Sequence, residues 1–252
     1  MSFNKLILFF LILNFYFSQS IDEIYLNKGI NELYNYNFES SLIYLDSTII
    51  LNPQNPVPYF VRIANKWLST QINIGYDSSY QVIYEEVDKV IPIYEKLISE
   101  NPDFADNYLY LGSSYGLKAR VDLAKKDWLG VIWSGYKGLD NIKYAQKLNP
   151  NLYDVFMPLG LMEYFSSISP KPIQWAASFV GIRPDKNIGI DHLKIAGEKS
   201  KYSWIEAQTI LIYSYLYFEN ELFLAREISH KMYEKFPGHP YLLYLYAESL
   251  LR

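Results

Sequence analysis

Four proline-containing breaks divide this chain into segments that each have a helical period. From Ile21 onward, apolar residues recur at spacings of three and four, which is the pattern of an amphipathic helix. The breaks lie at Asn52-Pro53, Asn101-Pro102, Asn149-Pro150 and Phe236-Pro237. Proline cannot donate the helical hydrogen bond, so each break ends a helix. Because no Asn-Gly or Asp-Gly turn separates alternating runs, strands are not predicted. The sequence therefore predicts an all-α fold.

The first twenty residues have the layout of a secretory signal peptide. Lys5 supplies a positive charge, residues 6–17 are almost continuously apolar, and Ser18-Gln19-Ser20 supplies small residues for cleavage. An uncleaved anchor is the alternative, although an anchor needs ~20 apolar residues. We expect cleavage near Ser20 and a periplasmic or extracellular protein that folds as a single helical domain over residues 21–252.

Degenerate copies of one helix-pair pattern lie in register with the prolines. The run from Tyr108 to Tyr115 places an aromatic residue, leucine, glycine and tyrosine at fixed spacings, and the run from Phe156 to Gly160 repeats most of it. Further copies begin at Tyr25 and end at Pro237. This spacing resembles the tetratricopeptide (TPR) superfamily, and the resemblance implies an α-solenoid.

The repeats are longer than those of a plain TPR protein. Successive closing prolines at 53, 102 and 150 lie 49 and 48 positions apart, whereas a TPR unit has ~34 residues. We therefore predict a TPR-like α-solenoid of about five antiparallel helix pairs plus a C-terminal helix. The predicted pairs span 22–51, 56–100, 104–149, 153–199 and 203–236, and the last helix spans 240–251.

An apolar insertion at 166–185 interrupts the fourth pair. It contains Pro170 and a short apolar stretch that ends at Gly181. With the helix start that follows at 185–193, it resembles the tetratricopeptide repeat protein 39 family and its bacterial relatives over about 105–237. The resemblance implies a helical scaffold without established enzymatic activity, and no catalytic residue is carried over from it.

Composition removes most catalytic and metal chemistries. The chain has no cysteine, only three histidines without ligand spacing, and a net charge of -4, so thiol nucleophiles, zinc-thiolate sites and a strongly basic nucleic-acid footprint are excluded. No phosphate loop, nucleophile elbow or zinc-protease motif occurs. We predict a protein that is not an enzyme and has no cofactor, no metal site and no nucleic-acid partner.

Six aromatic residues are the candidate binding residues, and each has a structural alternative. In the insertion, Trp175 and Phe179 either form a hydrophobic finger or fold back onto a neighbouring helix pair. Trp128 and Trp133 form either a buried helical stripe or a ligand-stacking platform. The remaining two, Tyr115 and Tyr164, lie on first helices of the repeats, which face the concave side of a solenoid.

These features predict an exported scaffold that binds a protein or peptide partner in its groove. The alternative is small-molecule, glycan or lipid binding through the aromatic concave face and the 166–185 insertion, an interpretation to which the 25 tyrosines of the chain contribute. Two further contacts are expected from apolar segments, namely a peripheral membrane contact through 173–181 and self-association through 240–251.

Overall fold

The computed structural model describes residues 20–252, so all but the last residue of the predicted signal peptide lies outside the described part of the chain. That part contains no strand and twelve α-helices. The helices are α1 Ile21–Tyr34, α2 Phe38–Leu51, α3 Val57–Asn73, α4 Tyr76–Glu100, α5 Ala105–Ala124, α6 Trp128–Leu148, α7 Phe156–Ser167, α8 Lys171–Phe179, α9 Lys186–Lys199, α10 Trp204–Ser214, α11 Leu222–Lys235 and α12 Pro240–Leu251.

Consecutive helices pack as five pairs, which confirms the predicted all-α solenoid. The pairs are α1 with α2, α3 with α4, α5 with α6, α7 with α9, and α10 with α11. The helix α12 packs on α11 as the predicted solitary C-terminal helix. A short 3₁₀ turn, Tyr153–Val155, precedes α7, and the short helix α8 lies in the connection between α7 and α9.

Glycine lets the helices of two pairs approach at backbone distance. A Cβ atom on Gly112 of α5 would lie 2.7 Å from the carbonyl oxygen of Gly138 of α6. In the next pair, a Cβ atom on Gly189 of α9 would lie 2.6 Å from the backbone nitrogen of Tyr164 of α7. Both distances are shorter than any ordinary van der Waals contact, so these crossings require glycine, as the repeat pattern predicts.

The two ends of the described chain contact each other. At the end of α1, the Tyr34 ring lies 5.5 Å from that of Phe236, and the Tyr36 ring lies edge-on at 4.6 Å from that of His239. Earlier in α1, Glu23 forms an ion pair of 2.7 Å with Lys201. The N-terminal pair therefore packs against the loops that precede α10 and α12, and the solenoid closes around its interior.

Asp154 holds one of these loops in place. Its buried carboxylate accepts hydrogen bonds from the backbone N–H groups of Lys201, Tyr202 and Ser203 at 2.8–2.9 Å. A carboxylate that satisfies several backbone donors fixes the path of the chain where no helical bonds are available. The turn before α10, including the lysine that pairs with α1, is thus anchored to the 3₁₀ turn before α7.

Candidate interaction surface

The two sides of α6 carry different kinds of residue. The helix begins at Asp127, whose side chain accepts a hydrogen bond from the backbone N–H of Gly130 at 3.0 Å, as an N-cap residue does. Asp122, which lies near the end of α5, accepts a hydrogen bond from the buried hydroxyl of Ser134 at 2.8 Å. The side that packs inward combines three small residues, Ser134, Gly138 and Ala145, with Leu139 and Ile142.

Large apolar residues occupy the outer side of the first half of α6. They recur at positions that share one side of a helix, and each is exposed: Trp128, Leu129, Ile132, Trp133 and Tyr136. Trp133 alone among the α6 tryptophans has an aromatic contact, edge-on to Tyr115 at 5.5 Å between ring centroids. The outer side of α6 is thus a continuous apolar stripe.

The short helix α8 adds two aromatic side chains beside this stripe. Trp175 is 71% exposed and Phe179 is 85% exposed. The start of the helix is tied to the end of α7 by the Gln174 side-chain amide, which donates to the carbonyl oxygens of Ser167 and Ser169 at 3.0 and 2.8 Å. These bonds fix the helix so that its aromatic side is presented outward.

The end of α8 lies against α6. The Lys143 ammonium donates a 2.7 Å hydrogen bond to the carbonyl oxygen of Gly181, and a Cβ atom on that glycine would lie 3.6 Å from Leu139. We call the exposed apolar residues of both helices the α6–α8 surface. Its members, 39–85% exposed, are Trp128, Leu129, Ile132, Trp133, Tyr136, Ile173, Trp175 and Phe179.

Two structural alternatives from the sequence are thereby corrected. The α6 tryptophans, Trp128 and Trp133, do not form a buried stripe, because the inward side of α6 is taken by small residues that allow close packing on α5. The insertion does not fold back to cover its aromatics either, since only Ala177 of α8 is buried. Four of the six candidate residues are therefore exposed, two on α6 and two on α8.

The other two candidates are interior residues. Tyr115 is 8% exposed and Tyr164 is fully buried. The Tyr164 hydroxyl donates a 2.8 Å hydrogen bond to Glu219, and burial together with this carboxylate raises the pKa of the tyrosine. Both side chains pack between helices, so neither is available to a partner.

Basic residues are concentrated around the α6–α8 surface. The segments 125–147 and 168–183 contain seven basic and two acidic residues, a net charge of +5, within a chain whose net charge is -4. The basic residues are exposed and comprise Lys125, Lys126, Lys137, Lys143, Lys147, Lys171 and Arg183. These residues are scattered along the sequence, and Lys143 of the first segment contacts Gly181 of the second.

The interior of the solenoid is nearly filled. The first helices of all five pairs line a cavity of about 90 Å³, with walls from residues such as Leu33, Phe60, Tyr110, Met157 and Glu206. A larger and more polar cleft of about 590 Å³ opens at the loops that precede α3, α5 and α10, where Gln54, Asn107 and Lys201 contribute to its walls.

The described residues offer no metal centre and no membrane span. Residues 20–252 contain no group of three or more His, Asp or Glu side chains placed to hold a metal ion. Within the same range, no helix is both long enough and apolar enough to cross a bilayer.

Sequence reasoning missed two residues that the structure makes prominent. Asp154 contacts residues 47–49 positions further along the chain, and no local pattern signals such a distant partner. Glu206 stands in the sequence as one polar residue within an apolar helix, and only the assembled interior shows that it lines a cavity. A carboxylate in an otherwise apolar run is the one signal that could have drawn attention to it.

Comparison with known proteins adds a fold relationship. No protein-family model matches this sequence, and no curated protein matches it. Among solved structures, the fold is similar to the crystal structure of TTC0263, a thermophilic TPR protein in Thermus thermophilus. The TM-score is 0.51 at 18% sequence identity, over 92% of this chain and 100% of that one. The likeness concerns the fold alone and confirms that this chain is a TPR-like α-solenoid.

Proposed function

We propose that this protein is a non-catalytic scaffold that binds a protein partner through the α6–α8 surface. The observation that carries the proposal is the pair Trp175 and Phe179, 71% and 85% exposed on a helix that hydrogen bonds hold in place. TPR-like folds generally serve as protein-interaction scaffolds, which favours this class of function. We place the partner-binding site on the outer side rather than in the predicted groove, because the large exposed aromatic side chains lie there.

The chemistry of the surface defines the partner that fits it. Large exposed apolar patches on soluble proteins mark interaction sites, and covering Trp175 and Phe179 alone contributes on the order of 5 kcal/mol before the entropy of association is subtracted. The surrounding net charge of +5 favours a partner with an apolar groove and an acidic rim, since complementary charge speeds and orients association.

Site-specific photo-cross-linking in the producing cells tests this proposal. We place the photo-reactive amino acid benzoylphenylalanine at position 175 or 179, and for comparison at position 223 of α11, where Phe223 is 78% exposed. We expect positions 175 and 179 to yield a covalent adduct of one defined mass with another protein. Position 223 is an exposed aromatic site outside the surface and should yield none.

A second set of variants tests whether formation of the adduct depends on the α6–α8 surface. The double substitution W128S with L129S removes the exposed start of the α6 stripe and should reduce the adduct from position 179 about tenfold, a loss of ~1.4 kcal/mol. The substitution F223S should leave the adduct unchanged. Adducts of equal yield from 175 and 223, or adducts only from a probe placed at position 54 in the loop cleft, would contradict the proposal. Adducts that join only two copies of this chain, or binding to anionic vesicles without any protein adduct, would contradict it too.

We also infer that the protein is exported and that residues 105–237 are related to the tetratricopeptide repeat protein 39 family. Support for export comes from the apolar segment at 6–17 and Ser18-Gln19-Ser20. We expect N-terminal sequencing of the mature protein to begin at Ile21, and an intact start at Met1 would contradict cleavage. The kinship predicts that an alignment of homologues from both groups retains Pro170, Gly181 and Gly189.

A further inference from the structure

The interior cavity combines aromatic walls with a carboxylate that no cation contacts. Four rings line it, namely Tyr34, Phe60, Tyr110 and Tyr202. The ring centroids of Phe60 and Tyr110 lie 5.6 Å apart with their planes inclined at 52°. Apolar side chains complete the wall, including Val57, Val61, Ala64, Leu109 and Met157.

Glu206 supplies the carboxylate of this cavity. It lies in the first turn of α10 and is partly buried. Within residues 20–252, no lysine, arginine or histidine nitrogen lies within 4.0 Å of it, and its side chain forms no hydrogen bond with another residue. Burial raises the pKa of this carboxyl to about 7, so the free protein retains an ionisable group that lacks a counter-charge.

The second carboxylate of the cavity is already occupied. Asp154 accepts three backbone hydrogen bonds from the turn before α10. Tyr110 and Ser113 also line the cavity, and among the described residues their hydroxyl groups form no hydrogen bond to a protein partner; a hydroxyl oxygen can accept from an N–H donor. The polar groups that remain available therefore suit a positively charged donor.

We propose that this cavity binds a small alkylammonium ion, with its charged end at Glu206 and its alkyl chain against the apolar wall. An ammonium within about 6 Å of an aromatic ring is attracted to the face of that ring, and Tyr34, Phe60 and Tyr110 line the same cavity as Glu206, whereas the Tyr202 ring already lies 5.0 Å from the Lys201 ammonium. The volume of about 90 Å³ limits the chain to a few carbon atoms. The same chemistry is offered by a free amine and by a lysine side chain of a partner.

Calorimetric titration of the full mature chain at pH 8 tests this site. The probe is n-butylammonium chloride, and 1-butanol serves as a neutral ligand of nearly equal size. We expect saturable binding of the ammonium at least about tenfold tighter than that of the alcohol, because a hydrogen bond to a charged group contributes about 1.5–3 kcal/mol. Equal binding of the two probes, or no saturable binding of the ammonium, overturns the proposal.

Two substitutions separate the carboxylate from general charge effects. E206Q keeps the shape of the side chain and should weaken butylammonium binding about tenfold or more. The control E198Q removes one charge from an exposed position of α9 and should change binding by less than about twofold. An equal effect of the two substitutions contradicts the assignment.

A cavity-filling substitution and a second probe test the site independently of E206Q. A64L fills the cavity from α3 and should block both probes, which tests the site even if E206Q folds poorly. N-acetyl-lysine methylamide distinguishes the two sources of the ammonium: binding as tight as that of n-butylammonium assigns the cavity to a lysine of a partner, and weaker binding assigns it to a free amine. Butylammonium binding that survives A64L unchanged places the ligand elsewhere and overturns the proposal.

Discussion

Replacing Asp154 by alanine is expected to lower the free energy of unfolding by about 4 kcal/mol. The carboxylate is 5% exposed and accepts hydrogen bonds from three backbone N–H groups. Each hydrogen bond to a charged group contributes about 1.5–3 kcal/mol, and unsatisfied donors add their desolvation cost. The expected loss of unfolding free energy is smaller than the sum of these contributions, because water reaches part of the released turn.

The effect of D154A should reach beyond the turn itself. The turn carries Lys201, whose ammonium pairs with Glu23 of α1 at 2.7 Å, so releasing the turn weakens the contact between the two ends of the chain. Urea unfolding followed by circular dichroism measures the change. D140A removes an exposed aspartate of α6 and should change stability by less than about 0.5 kcal/mol. A loss from D154A no larger than this control would contradict the anchoring role.

Acidification from pH 7 to 4.5 is expected to destabilise the protein by about 2 kcal/mol through His239 alone, because proton linkage converts its lowered pKa into a loss of stability over this range. The imidazole is 8% exposed, and burial lowers its pKa from 6.5 to about 4. Its Nδ1 accepts a hydrogen bond from the backbone N–H of Leu242 at the start of α12, and a protonated ring nitrogen cannot accept. The ring also lies 6.2 Å from the Tyr34 ring.

The sign of this dependence follows from proton linkage. The unfolded chain takes up a proton on this histidine as pH falls below 6.5, whereas the folded chain resists it until about pH 4. The contribution is therefore complete above pH 6.5 and is lost as pH falls toward 4. H239N retains a residue favoured at a helix N-cap and does not titrate, so its stability should fall about 2 kcal/mol less than that of the natural chain between pH 7 and 4.5.

A second histidine provides the matched control. His230 lies exposed on α11 beside Glu234. We therefore expect H230N to lose as much unfolding free energy between pH 7 and 4.5 as the natural chain does. Unfolding free energies of the three proteins at pH 7, 6, 5 and 4.5 give the comparison. If H239N and the natural chain lose stability in parallel over this range, the buried histidine is not the acid-sensitive group.

The fold was predictable from the sequence because its signals are local. Helical periodicity and the breaks at Pro53, Pro102, Pro150 and Pro237 delimit the helix pairs, since proline disfavours continuation of a helix. Pro92, by contrast, lies inside α4 without ending it. The glycines of the repeat pattern also indicate correctly where helices cross at backbone distance. These features act within one helix or between neighbours in the chain.

The candidate site was predictable only in part. Trp128, Trp133, Trp175 and Phe179 stand out in the sequence, but the sequence does not show which side of each helix faces inward. The amphipathic pattern of α6 is ambiguous, because apolar residues outside and small residues inside both satisfy a helical period. Close packing on α5 selects the small residues for the interior and leaves the tryptophans exposed.

The number and bounds of the helix pairs follow from the sequence, because backbone hydrogen bonding and turn chemistry depend on neighbouring residues. The contact between the two ends of the solenoid, the cavity lined by the first helices and the exposure of the aromatic residues on α6 and α8 follow only from tertiary packing. These outcomes depend on contacts such as Asp154 with the turn before α10 and Lys143 with Gly181, which join residues 38 or more positions apart. Burial and electrostatic interactions depend on distance in space, so contacts between residues far apart in the sequence leave no local sequence pattern.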